Sequence, residues 1–416
     1  MDFSQSWSRA KHTSLANFSF QNETAATRVR SARMARTWIV CIFSVLITLV
    51  IFLYPNSRTS SNRLNTTSDD SIFNRTLGFH RNYVLSLPAR TDRREKFQVA
   101  ASFAGFDVEF IDGVLSEDVS SKATPLNWKA ENVGPGVLGS WRGHMNVLQK
   151  IVNENIQTAL IWEDDADFDP ALKQQLQKFA TGVKALLPST SSSSSSSPYG
   201  RGWDFLWLGH SKLGPSDNQT EFYVLENDQT TPAVRNRYGK WWNHKHSPLE
   251  ASEDTTRLIF KAGNGGVGMY AYAVTYESAR KALVALSVIP RDGAVDVAYR
   301  NFCKGAFGIE FACYGPFPTL IGTHRAAGWA ERSSDNNVGE KGRWVDEVTA
   351  DVKFSTMLNL QRLANEDEFV EAQWAGEDGK KELRRVNEPL NGAVGGLRNI
   401  DLLSAPPPSW MPSDAR

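Results

Sequence analysis

Neither sign of charge prevails in this chain: 46 Lys and Arg stand against 46 Asp and Glu in 416 residues. A nucleic-acid binder shows a basic excess or a basic face, and neither is evident, so nucleic acid is set aside as a partner. Cysteine is scarce, with three in all. No CxxC and no Cys/His cluster of zinc spacing occurs. His244 and His246, in WWNHKH (241–246), have no further ligand nearby in sequence and read as surface. Cys41 lies in an apolar run. Cys303 and Cys313 could pair in an oxidising lumen, although spacing does not establish the geometry that a disulfide needs.

Charge is also missing from one long stretch. Thr37 to Tyr54 (TWIVCIFSVLITLVIFLY) is uncharged over 18 residues and is closed by Pro55. That length suits a membrane span, and a core helix would be shorter or amphipathic. Arg9, Lys11, Arg28, Arg30, Arg33 and Arg36 precede it, whereas Arg58 and Arg63 alone follow within about twenty residues. The positive-inside bias leaves 1–36 as a cytosolic tail and sends the rest into a lumen. A cleaved signal peptide is disfavoured, because the run starts late and ends in bulky residues. Residues 55–78, rich in Ser, Thr and Asn, read as a disordered stem. Asn65, Asn74 and Asn218 head lumenal glycosylation sequons, and the sequon at Asn22 faces the cytosol.

Beyond the stem, strand and helix patterns alternate. Tyr83–Leu87, Phe106–Val114, Thr158–Trp162, Asp204–Leu208 and Gly268–Thr275 read as strands. Asp92–Ala104, Val137–Val152, Pro170–Leu187 and Glu277–Leu286 carry helical spacing. Phe311–Ile321 contains Pro316 and Pro318, which suits an edge or end strand. A tract at 188–200 with seven consecutive serines cannot repay its ordering entropy and reads as an insertion loop. Alternating βα units imply a mostly parallel sheet covered by helices, with ligands at the C-terminal ends of its strands. The expected layout is one catalytic domain over 79–345 and a C-terminal extension over 346–416.

Three acids, Glu163, Asp164 and Asp165, follow directly on a buried apolar strand. Charges there cost free energy unless compensated, and a hard divalent cation compensates them well. Mg²⁺ and Mn²⁺ commonly take one or two carboxylates plus substrate phosphates, so a diphosphate donor fits. A solvated turn before a helix is the plainer explanation.

The order RNYVLSLPARTDRREKF (81–97), GPGVLGSWRGHMNVLQKI (134–151), TALIWEDDADFD (158–169), WDFLWLG (203–209) and AYAVTYESARKAL (271–283) resembles glycosyltransferase family 25. That family includes bacterial lipooligosaccharide and collagen galactosyltransferases. The resemblance implies a GT-A-like nucleotide-sugar-binding α/β fold with a mostly parallel central sheet, here preceded by a single transmembrane helix. It also implies inversion at the anomeric carbon, a UDP-sugar donor and Mn²⁺ or Mg²⁺. The partners would be a nucleotide sugar, a glycan or glycoprotein acceptor, and the membrane of the Golgi or ER. By position, Asp92, Arg93 and Arg94 match the family's DRR block, where a guanidinium fork suits a diphosphate. His144 matches the family's helical histidine. Glu163 and Asp165 match the outer acids, with ribose and metal roles respectively, and Asp164 between them is a candidate for both donor and metal. His324, after the last strand, could complete a metal shell. The family's Cys and Ser before the histidine are replaced by Ser140 and Gly143, and the Asn of its first strand by Ser86, which marks a divergent member.

An inverting transfer also needs a base for the acceptor hydroxyl, on a segment apart from 163–165. Asp296, flanked by Val295 and Val297, and Asp292, beside Gly293 in a turn, are the candidates, with capping of the following helix as the alternative for Asp296. Three rival functions can be weighed. Gly263–Gly268 matches GxGxxG but is followed by a strand pattern, so it reads as a flexible loop and disfavours an oxidoreductase. A glycoside hydrolase would need two carboxyls across a sugar cleft. A non-catalytic carbohydrate-binding or scaffold protein could keep this fold.

The topology can be tested in sealed microsomes. Protease added outside should trim about the first 36 residues and spare the remainder. Asn65, Asn74 or Asn218 should accept glycan and Asn22 should not. Digestion of the whole chain would overturn the assignment.

Overall fold

The computed structural model describes residues 68–125, 128, 134, 136–188, 197–237, 240–241, 254–287, 293–335 and 341–401. The apolar run at 37–54, most of the stem, most of the serine tract, His244, His246 and Asp292 lie outside the described residues. Among the described residues no helix is long and apolar enough to cross a membrane.

Nine strands form the central sheet: β1 (Arg81–Ser86), β2 (Glu109–Asp112), β3 (Thr158–Glu163), β4 (Phe205–Gly209), β5 (Glu221–Glu226), β6 (Arg257–Lys261), β7 (Ala271–Thr275), β8 (Cys313–Phe317) and β9 (Val394–Asn399). Their order is β9-β5-β6-β8-β4-β7-β3-β1-β2. Strands β1, β2, β3, β4, β5 and β8 run one way, and β6, β7 and β9 run against them. The sheet is thus large and mostly parallel in direction, with β6 and β7 reversed between parallel strands and β9 reversed at the edge.

Alternation along the strands sorts their side chains onto two cores. On one face Ile161 of β3 and Tyr272 of β7 meet Trp141, Met145 and Leu148 of α2 (Val137–Asn153), with α4 (Tyr276–Ser287) and α5 (Val295–Cys303) beside it. On the other, Leu160 and Trp162 meet Phe97 of α1 (Thr91–Phe103) and Leu176 and Phe179 of α3 (Leu172–Leu186). Each such side chain contributes about 1.5–3 kcal/mol on burial. Three layers result, with helices on both faces.

The structure corrects several expectations. The ordered fold begins before residue 79: Ile72 and Leu77 are fully buried, so the last part of the expected stem belongs to the core. Tyr199, at the end of the serine tract, is buried against Phe79 and donates to the Leu77 carbonyl at 2.8 Å. Strand β8 sits inside the sheet despite Pro316, because its parallel pairing with β4 ends at Tyr314 and leaves the proline opposite no acceptor on that side. The glycine segment expected as a flexible loop holds a short strand, Gly265–Val267, paired with Lys212–Gly214. No helix begins there. Strands β5, β6 and β9 went unread, and β9 brings the region after residue 345 into the main sheet beside β5. Cys303, at the end of α5, is bonded to Cys313, at the start of β8.

Arg257 of β6 anchors the chain that leads from β8 to the site. It is almost fully buried. It donates to Asp228 at 2.7 Å, to the Thr319 carbonyl at 2.7 Å and to the Thr230 hydroxyl at 3.2 Å. Burial alone would raise the Asp228 carboxyl, but the Arg257 charge and the Thr230 hydrogen bonds override it and hold it below the usual range. Removing one partner strands the other charge in the core. Asp228→Ala should therefore lower unfolding free energy by about 3–5 kcal/mol, read from the midpoint of a denaturant titration.

Candidate active site

The site lies where β1 and β3 end, at the C-terminal edge of the sheet's parallel part. Glycines bring its walls together. A Cβ on Gly139 would stand 2.2 Å from the Val114 carbonyl oxygen, and one on Gly143 would stand 3.0 Å from the Leu85 side chain. Both occupy one face of α2, so this helix packs directly on the end of β1. Gly143 is one of the divergent positions, and here a side chain would press on Leu85.

Beyond β3 the chain turns at Asp164 and Asp165. Asp164 accepts from the Ser86 hydroxyl at 2.7 Å and from Arg93 at 2.6 Å. Arg93 also lies 3.3 Å from Asp165 and donates to the Ser333 carbonyl. Burial alone would lower its pKa, but Asp165 and Asp164 outweigh burial and raise it. Burial pushes the Asp165 carboxyl up to about 7; Arg93 opposes this, and Glu163 and Asp164 add to it. The Asp165 side chain keeps 26% of its surface open, yet it stands deep in the fold beside two other acids, and depth decides here.

Two cavities meet at these residues. The first, about 220 Å³, is lined by Ser86, Arg93, Gly139, His144, Glu163 and Asp165 among others. The second, about 390 Å³, is lined by Arg93, Asp164, Asp165, His324, Trp329 and Trp344 among others. His144 is fully buried at the back of the first: its Nδ1 lies 2.8 Å from the Tyr272 hydroxyl, and its Nε2 faces Glu163 at 3.8 Å. With the Tyr272 hydroxyl as donor, Nε2 carries the proton and points at the Glu163 carboxylate.

The remaining expected residues divide. Asp92 is held by Arg90 through two contacts of 2.9 Å and lines the second cavity. The hydrogen bond from Arg90, helped by its charge, holds the Asp92 carboxyl below the usual range against the effect of burial. Arg94 donates to the Ser86 carbonyl at 2.7 Å and to Asp112 at 2.6 Å, which braces the end of β1. His324 touches Asp165 through its backbone amide, which donates to the Asp165 carbonyl at 2.7 Å. Its imidazole lies 3.0 Å from the Thr349 hydroxyl and 3.3 Å from Glu347, so that carboxylate already occupies the face expected to serve a metal. Asp296 stands apart. Its two oxygens accept from the Gly268 amide at 2.9 Å and its neighbour Val297's amide at 2.7 Å, and it lines neither cavity. The helix cap position is held by Ala294 instead.

Sequence reasoning treated Ser86 as a departure from a pattern, whereas its hydroxyl fixes Asp164. It missed Arg90, Trp329 and Trp344 altogether. The tryptophans could have been noticed as indoles in polar surroundings, GWAERSS and KGRWVDE.

Among the described residues no three His, Cys, Asp or Glu side chains gather to hold a metal on their own. Cations that prefer oxygen commonly complete their shells with substrate phosphate. The donor set fits that arrangement: Asp165 is a crowded carboxylate facing both cavities, and Glu163 faces the first. Asp164 is already satisfied by Ser86 and Arg93.

A 27% identical relative over 150 residues is a glycosyltransferase 25 family member of Anopheles gambiae, with 33% of this chain and 23% of the relative covered. A probable inactive glycosyltransferase 25 family member 3 of Bos taurus is 22% identical over 153 residues, covering 34% and 23%. The inactive family member 3 of Homo sapiens is 21% identical over 150 residues, covering 33% and 23%. The chain thus spans about a quarter of the length of these curated relatives. The family model described as glycosyltransferase family 25 (LPS biosynthesis protein) matches residues 79–299, more than half of the chain, and the chain belongs to that family as a divergent member.

Proposed function

We propose that this chain is a metal-assisted, inverting glycosyltransferase that moves a hexose, such as galactose, from a UDP-sugar to a glycan or glycoprotein acceptor. The observation that carries this reading is the Asp165 carboxyl, pushed up to about 7 between two cavities and short of positive charge. Perturbed carboxyls in clefts mark functional sites more often than structural ones. When bound, Mn²⁺ or Mg²⁺ would neutralise charge on the departing diphosphate, with Asp165 as its protein ligand. Arg93 holds Asp164 and Asp165 in place and offers its charge beside the same phosphates. His144 orients Glu163 at the donor ribose. In the transfer, the acceptor oxygen bonds to the anomeric carbon as the bond to the diphosphate oxygen breaks. The hydroxyl proton passes to a base.

The same reading places the chain in the secretory pathway, in the Golgi or ER membrane, as a type II protein. The Cys303–Cys313 disulfide supports an oxidising compartment, and Asn74 and Asn218 are exposed and open to glycan. A second reading, a carbohydrate-binding protein without turnover, is favoured by the names of the bovine and human relatives, which call those proteins inactive. Incubation with a panel of nucleotide sugars and Mn²⁺ separates the two. Release of nucleoside diphosphate supports transfer, and binding of UDP without release supports the second reading.

Asp165 gives a prediction with opposite signs for activity and stability. Its folded pKa lies above the unfolded value, so from about pH 4 to about pH 7 the folded state holds a proton that the unfolded chain releases. Stability from this group therefore falls as pH rises through that window. Asp165→Asn should raise Tm by at least about 2 °C at pH 8, with the gain shrinking towards pH 4. It should also lower transfer about a hundredfold or more. Mn²⁺ with UDP should raise the Tm of the wild type and not of the variant. An unchanged rate in EDTA would remove the metal.

Asp296→Asn tests the base. Both Asp296 oxygens already accept backbone amides, so the expected result is near-normal turnover with a lowered Tm, as for a strut that holds Gly268. A loss of turnover of about a hundredfold or more with unchanged UDP affinity would instead mark it as the base.

A further inference from the structure

The second cavity has a wall that the family match does not reach, since it is built from residues beyond 299. Trp329 and Trp344 stand opposite each other across a short antiparallel pair, Gly328–Trp329 with Trp344–Val345. Their rings are 5.5 Å apart at 85°, and they remain 45% and 58% exposed. Two large apolar rings left side by side in water at the rim of a cavity mark an interaction surface. Held edge to face by paired backbone, they offer two apolar planes at right angles, which suits the C–H faces of pyranose rings. In the same lining, Arg325 and Arg332 have no ion-pair partner among the described residues, and the buried Arg325 Nε lacks a hydrogen-bond acceptor. A buried donor without a partner is costly, and ligand oxygen would satisfy it.

We propose that this cavity is the acceptor subsite and that its occupant is the end of an oligosaccharide. Its rings lie on Trp329 and Trp344, and its oxygens accept from Arg325. The inference rests on the glycosyltransferase reading and deepens it. The two cavities share Arg93, Asp164 and Asp165, so a sugar in the second reaches the acids from the side opposite a donor in the first. The two tryptophan planes at right angles favour a sugar, and a peptide is kept as an outcome of the test. The volume, about 390 Å³, is that of a small-ligand pocket, which run roughly 300–1,000 Å³.

The test uses the full chain in detergent on a glycan array and, in parallel, on an array of Ser- and Thr-rich peptides. Wild type should be retained by a subset of glycans. Trp344→Ala and Trp329→Ala should each weaken that retention about tenfold, and Arg325→Gln should weaken it too. Trp344→Phe, which keeps an aromatic plane, should restore part of it, and this guards against a misfolded alanine variant. Where turnover is measurable, the alanine variants should raise acceptor KM with kcat little changed, as for lost ground-state binding. Binding of UDP with Mn²⁺, read by Tm shift on the same samples, should be equal in all variants. Retention by peptides alone, by no glycan, or by glycans equally in the wild type and both alanine variants would overturn the subsite. Loss of UDP binding in every sample, with glycan retention intact, would overturn the glycosyltransferase reading and leave the tryptophan site standing.

Discussion

Arg93 is what allows three acids in a row to stand at the end of a buried strand. Without it, Asp164 and Asp165 would face each other across the floor of the site with little to offset their repulsion. The guanidinium bonds one carboxylate and lies near the other, and it donates to the Ser333 carbonyl from the distant segment after α5. One side chain therefore couples the start of α1, the turn after β3 and the region that carries Trp329. Asp164 uses up most of that compensation, with the Ser86 hydroxyl supplying the rest. Asp165 is left as the under-compensated member, and that shortfall is where a cation and a diphosphate would act.

The same coupling explains why the site has two sides. The first cavity is walled by β1, α2 and the acids, all within the span that matches the family. The second depends on the segment from His324 to Trp344, outside that span. Its placement is secured from below: Arg257 grips the Thr319 carbonyl, and Asp167, fully buried, accepts from the Thr349 and Ser355 hydroxyls. Thr349 in turn lies against the His324 imidazole. These are buried polar ties between strands far apart in sequence. The inner side of the site is thus tied by buried polar contacts, and its outer rim carries the exposed tryptophans.

The parts legible in the sequence were those with local signatures. Strands β1 and β3 are continuous apolar runs, and α1 to α4 carry a helical stripe or a glycine stop, so their existence followed from periodicity. The acids at 163–165 drew notice because charge directly after such a run is costly. What escaped depends on long-range pairing. Strand β9 holds two glycines, is exposed along most of its length and earns its place by pairing with β5. Strand β8 holds a proline whose acceptability depends on where a neighbouring ladder ends. Asp296 looked like a base or a cap because its sequence neighbours are apolar. In three dimensions its partner is the Gly268 amide, from a loop 28 residues away, which no local pattern announces.

The cost of Asp165 bears on what the site is built to hold. A protein that needed the fold for binding alone would gain stability from an amide at that position, because the amide keeps the shape and removes a third charge from a crowded floor. The carboxyl instead stands with its pKa pushed up to about 7 by burial, with Arg93 opposing and Glu163 and Asp164 adding to the rise. Strain of this kind is tolerated where a ligand relieves it during function. A saccharide cannot relieve it, since hydroxyls bring no net positive charge. A cation carrying diphosphate can. A site that takes a metal-bound diphosphate accounts for the residue, and a site that holds sugars alone leaves it unexplained.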